Sequence, residues 1–192
     1  MRTMDVDLAL VTDWLICASS QIDREYICLP VAGGDPQFRE RVYCYELYHR
    51  WRCHWSEKFP YSLGGEVDKK GHPRVRGKQL DNTKPDFLVH VPGYMRNLLV
   101  MEVKPANGKI KHMIADLKKL TAYTHNLVDE DERPANYYAA FFWVYGTVIG
   151  GWQELQGQVL AEIGNREEVD LSGIRCFVHE GAGVPAVEVR WR

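Results

Sequence analysis

The pattern of apolar and polar positions along the chain predicts four helices. They are expected over residues 4–20, 35–55, 109–126 and 152–163. The first and third segments carry apolar side chains at helical spacing, which is typical of amphipathic helices. The second is expected to begin at Asp35 and Pro36, because aspartate is a good N-cap and proline is tolerated at the first helical position.

The same pattern predicts six strands. They are expected over residues 60–67, 84–91, 98–104, 136–148, 174–179 and 187–191. The third strand is apolar on both faces at 98–101, which is typical of a strand in the centre of a sheet. From residue 35 onward the order is helix, three strands, helix, strand, helix and two strands. This order predicts an α/β fold with one central mixed sheet flanked by helices.

The chain length of 192 residues predicts a single domain. We divide it into an N-terminal helical or extended appendage (1–35), a core (36–150) and a C-terminal extension (151–192). The most apolar stretch, 137–151, is interrupted by Gly146 and is shorter than the roughly 20 residues that a bilayer crossing needs. No membrane partner is therefore expected.

The compartment is predicted from the N-terminus and the cysteines. Acidic residues interrupt any apolar signal segment near the start of the chain. The five cysteines are odd in number and form no CxxC pair. We therefore expect reduced, mostly buried cysteines in a cytoplasmic protein.

The charge composition argues against a protein that contacts phosphate over its whole surface. The chain has 24 basic and 26 acidic residues, a formal net charge of -2. A local basic patch balanced by acid elsewhere is still compatible with an enzyme that acts on nucleic acid. The candidate phosphate-binding residues in and beside the loop before the second strand are Lys69, Lys70, Arg74, Arg76, Lys78 and Lys84. The same loop is equally compatible with a solvated segment that binds nothing.

Three side chains on two neighbouring strands form the candidate reaction centre. Asp86 lies on the second predicted strand, and Glu102 and Lys104 lie on the third. A hairpin through Pro92 and Gly93 would place these strands side by side. Glu102 and Lys104 are two positions apart, so they project from the same face. In the right register Asp86 faces that pair.

This set of groups suits phosphodiester hydrolysis assisted by Mg²⁺ or Mn²⁺, since these ions prefer oxygen ligands. Asp86 and Glu102 supply carboxylate oxygens, and the carbonyl of Val103 could supply a third ligand. Lys104 is a cation that could contact the scissile phosphate or orient water. Glu46, at the edge of the apolar stripe of its helix, could complete the metal shell.

Pro85-Asp86 followed by Glu102-Val103-Lys104 resembles the PD-(D/E)xK nuclease superfamily, which has the restriction-endonuclease-like fold. The resemblance covers roughly residues 36–150, and it implies a core of helix, three strands, helix and strand. It also implies that Asp86 and Glu102 hold the metal, that Lys104 is the catalytic lysine, and that Glu46 is an accessory acid. The implied substrate is nucleic acid, with DNA favoured over RNA. A duplex cutter commonly needs two sites, so a homodimer is expected.

Several alternatives remain open. Glu46 could instead pair with Arg50 one helical turn later. Glu66, at the end of the first predicted strand, could join the metal site or simply begin the charged loop. The whole domain could also be a nuclease-like binding or assembly module without turnover. A small-molecule hydrolase has less support, because the chain has no GxSxG or HExxH motif.

Overall fold

The computed structural model describes residues 2–65, 84–94, 96–128, 133–164 and 167–191. Glu66 and the basic residues Lys69, Lys70, Arg74, Arg76 and Lys78 lie outside these ranges, so their predicted roles stay predictions. Lys84 is described and is exposed. Within these ranges no helix is long and apolar enough to cross a membrane.

A six-stranded mixed sheet forms the centre of the molecule, as predicted. A separate short hairpin precedes it, made of β1 (Leu29–Val31) and β2 (Gly34–Gln37). The sheet strands are β3 (Ser62–Gly65), β4 (Phe87–Val91), β5 (Arg96–Pro105), β6 (Ala139–Tyr145), β7 (Ile174–His179) and β8 (Val187–Val189). They are arranged in chain order from β3 to β8. The β5–β6 and β6–β7 pairs are parallel, whereas the other three pairs are antiparallel.

Helices cover both faces of this sheet. The helices are α1 (Met4–Ser19), α2 (Arg24–Ile27), α3 (Glu40–Cys53), α4 (Ile110–His125) and α5 (Trp152–Ile163), and a single 3₁₀ turn covers Leu171–Gly173. Buried residues of α1 and α3 form one apolar core with one face of the sheet. Buried residues of α4 and α5 form a second core on the other face. All seven residues of β6 are buried, because both faces of this central strand are covered.

The predicted N-terminal appendage and C-terminal extension both contribute to these layers. Trp51 Nε1 on α3 donates a hydrogen bond to the carbonyl of Val11 on α1 at 3.2 Å. The backbone N–H of Ala186 donates to Ser19 Oγ at the end of α1 at 2.8 Å. Helix α1 is therefore joined to α3 and to the segment before β8.

The predicted helix start at Asp35 and Pro36 is wrong. Both residues lie in β2, and α3 begins five residues after Asp35, at Glu40. Gly33 has φ of 73°, which turns the chain so that Gly34 pairs with Val31. A proline is tolerated in such a two-stranded edge. The local N-cap pattern was therefore overridden by hairpin pairing.

Smaller differences concern strand ends and cysteines. Asp86 directly precedes β4 instead of lying within it. All five cysteines have free thiols, as predicted, but only Cys44 and Cys176 are buried. The expectation that most cysteines are buried is wrong, since Cys17 and Cys53 lie on exposed positions of α1 and α3.

Gly146, directly after β6, is a position that requires glycine. Its φ is +90°, and a Cβ atom built there would lie 2.4 Å from Phe38 Cε1. We expect Gly146→Ala to lower the free energy of unfolding by about 2–3 kcal/mol, because it combines backbone strain with displacement of the Phe38 ring. Urea denaturation measures the change. Gly181→Ala is the matched control, since nothing lies within 4 Å of its Cβ position, and an equal loss there would contradict this explanation.

Candidate active site

The β4–β5 hairpin brings Asp86 close to Glu102. Phe87, the first residue of β4, pairs with Met101, and Asp86 and Glu102 are the residues next to that pair. Asp86 Oδ2 accepts a hydrogen bond from the backbone N–H of Val103 at 2.7 Å. This hydrogen bond holds the Asp86 side chain against β5, directly before the start of β4.

Alternation along β5 directs Glu102 and Lys104 to the face that α4 covers. Lys119 Nζ on α4 lies 3.2 Å from Glu102 Oε1 and 2.5 Å from Asp116 Oδ1. Lys104 Nζ lies 3.0 Å from Asp116 Oδ2. Asp116 and Lys119 therefore belong to the same polar cluster as Glu102 and Lys104.

Helix α3 contributes one further carboxylate through its first turn. Glu40 Oε2 lies 3.0 Å from Lys104 Nζ. The same ammonium group donates to the carbonyl oxygen of Val103 at 2.9 Å. The Val103 carbonyl, which the sequence suggested as a metal ligand, is thus a hydrogen-bond acceptor for Lys104 here.

Burial raises the pKa of both Asp86 and Glu102. The pKa of Asp86 is raised to about 6, chiefly by burial, while the charge of Lys104 and the Val103 hydrogen bond act in the opposite direction. Glu102 is 1% exposed. Burial raises its pKa well above the usual range, and the neighbouring charges of Asp86 and Asp116 raise it further. Ionising both acids together is therefore costly without an added cation.

The pKa values of the two lysines are also raised, although burial acts on them in the opposite direction. Burial alone would lower the pKa of Lys104, but the charges of Asp116, Asp86 and Glu40 raise it above its usual range. Burial also acts to lower the pKa of Lys119, and Glu102 and Asp116 raise it. Both lysines are therefore permanent cations at neutral pH.

The cluster carries more acid than base. It contains four carboxylates, those of Glu40, Asp86, Glu102 and Asp116, and two ammonium groups, those of Lys104 and Lys119. When every group is ionised, two negative charges have no partner. One divalent cation would neutralise them, and carboxylate oxygens are the ligands that Mg²⁺ and Mn²⁺ prefer. In the described part of the chain, however, no group of three or more His, Cys, Asp or Glu side chains is arranged to hold a metal ion. The donor chemistry fits such an ion, and Asp86 with Glu102 is the pair that would hold it.

Two clefts flank the cluster. One has a volume of about 390 Å³ and is lined by Glu40, Lys104, Asp116 and Lys119, with Lys109 and His112 also on its wall. The other, of about 320 Å³, is lined by Asp86, Tyr45, Tyr48 and Gly65. Tyr45 is 62% exposed. Asp86 thus lines the aromatic cleft, whereas Lys104 lines the cationic one.

The structure places Glu46 away from this cluster. Its Oε1 accepts a hydrogen bond from Arg50 Nε at 2.5 Å, and Arg50 NH2 also lies 3.6 Å from Asp23 Oδ2. Glu46 is buried, in agreement with its place at the edge of the apolar stripe of its helix. Its partner is the guanidinium one turn later, which is the alternative that the sequence left open.

Sequence reasoning missed Glu40, Asp116 and Lys119 as members of the cluster. Asp116 carried a detectable signal, because it lies three residues after Met113 and four before Leu120, both fully buried on α4. An acid at such a position faces the sheet. Glu40 had no comparable signal. The predicted helix began at Asp35, so the sequence did not show that Glu40 lies in the first turn of α3.

Comparisons with known proteins add no assignment: the chain matches no protein-family model, no curated protein and no solved structure.

Proposed function

We propose that the protein is a divalent-metal-dependent nuclease that hydrolyses phosphodiester bonds of nucleic acid, with DNA favoured over RNA. One observation carries the proposal. Asp86, directly before β4, lies beside Glu102 of β5, and Lys104 projects from the same face of β5 as Glu102 into a cleft open to solvent. The resemblance of these residues to the PD-(D/E)xK pattern and the order α3-β3-β4-β5-α4-β6 support the same reaction class.

Asp86 and Glu102 would hold Mg²⁺ or Mn²⁺. When bound, such an ion polarises a phosphate oxygen and lowers the pKa of water. Glu66 is a further candidate ligand, but it lies outside the described residues.

Lys104 acts in this proposal as a fixed cation. The carboxylates around it raise its pKa, so it keeps its proton at neutral pH and is unsuited to act as a general base. Its ammonium group can instead contact the scissile phosphate and stabilise the negative charge that develops on the phosphoryl oxygens. Glu40 and Asp116 position that ammonium group at the cleft wall.

The cationic cleft offers contacts for the sugar–phosphate backbone. Lys109 and His112 are exposed beside Lys104 on the cleft wall, and Lys84 is exposed two residues before Asp86. Phosphate contacts of this kind carry no sequence information, but they place the strand against the reacting groups. The exposed ring of Tyr45 beside Asp86 offers a stacking surface for a base.

The direct test is cleavage by the purified protein. We expect cleavage of duplex or single-stranded DNA with Mg²⁺ or Mn²⁺, none with EDTA, and weaker cleavage of RNA. Mn²⁺ without substrate should raise the melting temperature, because it binds the folded cluster. A protein that cuts none of these substrates with either ion, and whose melting temperature Mn²⁺ does not change, would refute the proposal.

The two glutamates of α3 are expected to behave differently. Glu40→Gln removes an ion pair of Lys104, and we expect it to lower the rate of cleavage by about tenfold. Glu46→Gln removes only the charge that pairs with Arg50, so the cleavage rate should stay within about twofold of wild type. Single-turnover cleavage rates at saturating Mg²⁺ measure both. A larger loss of cleavage rate for Glu46→Gln would show that Glu46 takes part in the reaction.

A second candidate function is a nuclease-like binding or assembly module without turnover. The ion pairs of the cluster favour this function. Glu102 and Asp116 already have ammonium partners in Lys119 and Lys104, so these carboxylates are neutralised without a metal ion. This function predicts that the protein retains nucleic acid in a filter-binding assay but neither binds Mn²⁺ nor cleaves. Cleavage that is lost on substitution of Asp86 would exclude it.

A further inference from the structure

A third cleft lies at the opposite end of the sheet from the candidate active site. We call it the N-terminal cleft. It has a volume of about 530 Å³, and its lining includes Arg2, Asp7, Trp14, Lys58, Phe59 and Arg96. Arg96 begins β5, and Glu102 lies six residues further along that strand, which corresponds to about 20 Å. The N-terminal cleft is therefore separate from the cluster around Lys104, and its volume suits a small ligand.

The most informative group in the cleft is the carboxylate of Asp7. This residue of the first turn of α1 is 3% exposed, and its Oδ1 accepts no hydrogen bond from any described residue. A helix N-terminus favours a nearby negative charge, but it leaves Oδ1 without a donor. A buried oxygen without a donor costs free energy. A ligand that brings N–H groups would remove that cost.

The charge of the lining defines the rest of the ligand. Arg2, Lys58 and Arg96 supply three positive charges against the single negative charge of Asp7. An arginine or lysine side chain from another protein could donate to Asp7, but three neighbouring cations would repel it. The cleft favours instead a ligand with neutral N–H donors at one end and a negative charge at the other.

The apolar part of the lining is aromatic. The rings of Trp14 and Phe59 meet edge to face, with centroids 5.1 Å apart. Aromatic walls of this kind bind flat heterocycles by stacking and edge contacts. A planar ring with N–H donors and an attached anion is the description of a nucleotide.

We propose that the N-terminal cleft binds a guanine nucleotide. Guanine presents two neighbouring donors, N1–H and the exocyclic N2–H₂, and the two oxygens of one carboxylate can accept both. Adenine places an acceptor nitrogen at the ring position where guanine has N1–H, so it would oppose the Asp7 carboxylate. Trp14 and Phe59 contact the base, while Arg2, Lys58 and Arg96 bind the phosphate. The ligand is either a free guanosine phosphate or a guanine displaced from a single strand, and its binding does not depend on nuclease activity.

Calorimetric titration of the full chain with GMP, AMP and inorganic phosphate tests the proposal. We expect GMP to bind at least about tenfold more tightly than AMP, which is the discrimination that one bidentate base contact provides. Inorganic phosphate should bind more weakly than either nucleotide. Equal affinity for GMP and AMP, or no binding of GMP and of guanine-containing strands, would overturn the proposal.

Three variants assign the contacts. Asp7→Asn should abolish the preference for GMP, whereas Asp13→Asn, at an exposed position of the same helix, should retain it. Lys58→Gln should weaken GMP and AMP by the same factor, because it removes a phosphate contact only. Thermal unfolding of each variant shows whether it is folded. A folded Asp7→Asn protein that still prefers GMP would refute the role of Asp7.

Oligonucleotides distinguish the two sources of the base. A thymidine strand with one central guanine that binds more tightly than GMP, and more tightly than its adenine counterpart, supports a strand-borne base. Tight binding of GMP with no gain from the strand supports a free nucleotide. Both readouts measure binding without cleavage, so they stand apart from the nuclease test.

Discussion

Asp86→Asn is expected to reduce metal-dependent cleavage by about a hundredfold to a thousandfold, which is the cost of removing one group that stabilises a transition-state charge. Asparagine has nearly the same shape, and its side-chain oxygen can still accept the hydrogen bond from the Val103 N–H. The substitution thus removes the charge that the proposal assigns to metal binding while it retains the local geometry. Single-turnover cleavage rates with Mg²⁺ measure the loss.

The matched control is Asp35→Asn, which changes an exposed aspartate in the β1–β2 hairpin. It should cleave at the wild-type rate. Mn²⁺ should raise the melting temperature of wild type and of Asp35→Asn, and it should have little effect on Asp86→Asn. If Asp86→Asn cleaves as fast as wild type, the cluster around Lys104 is not the reaction centre.

The second large effect is a loss of stability in the metal-free protein as pH rises. Folding raises the pKa of Asp86 from 3.8 to about 6, so the folded state binds more protons than the unfolded state between these values. Stability contributed by this group is therefore present in acid and is lost as pH rises from about 4 through 6. A shift of about two pKa units corresponds to about 3 kcal/mol. The buried Glu102, whose pKa is also raised, acts in the same direction.

The difference between wild type and Asp86→Asn isolates this contribution. Other carboxylates, such as Asp170 and Glu188, have lowered pKa values and oppose it in both proteins. Urea denaturation in EDTA at pH 4.5 and pH 7 should show Asp86→Asn gaining stability relative to wild type by up to about 3 kcal/mol at the higher pH. A variant that is less stable than wild type at pH 7 would show that the Asp86 carboxylate is satisfied without a metal.

Part of the site was predictable because it is local to one hairpin. Glu102 and Lys104 share a face through the two-residue period of a strand, and the turn at Pro92-Gly93 makes β4 and β5 neighbours. The register that sets Asp86 beside Glu102 also depends on a one-residue shift of the pairing between Val89 and His90, and the sequence did not predict that shift.

The partners from the helices were not predictable in the same way. Glu40 and Glu46 are six residues apart on α3, which at about 100° per residue places them about 120° apart around the helix. Which of them faces Lys104 depends on how α3 is rotated against the sheet. That rotation is set by packing partners such as Val11 and Trp51, and these are brought together only in the folded chain.

The wrong prediction for the start of α3 shows that secondary structure, too, can depend on contacts that form only in the folded chain. Asp35 and Pro36 satisfy the local rule for an N-cap, yet pairing of Leu29 with Gln37 draws them into a strand. Where such pairing was absent, local signals sufficed: α5 spans the predicted residues, and α4 differs from the prediction by one residue at each end.

The hydrogen bond between Asp86 Oδ2 and the Val103 N–H has a thermodynamic consequence for any ligand of this acid. An anchored carboxylate has already lost its rotational freedom during folding, so an incoming ion does not have to restrict it again. Each carboxylate oxygen has two acceptor sites, so this single bond leaves both Oδ1 and Oδ2 able to bind an ion. The affinity of the centre therefore depends on the integrity of strand β5 itself, and fraying of that strand would release the acid and the ion together.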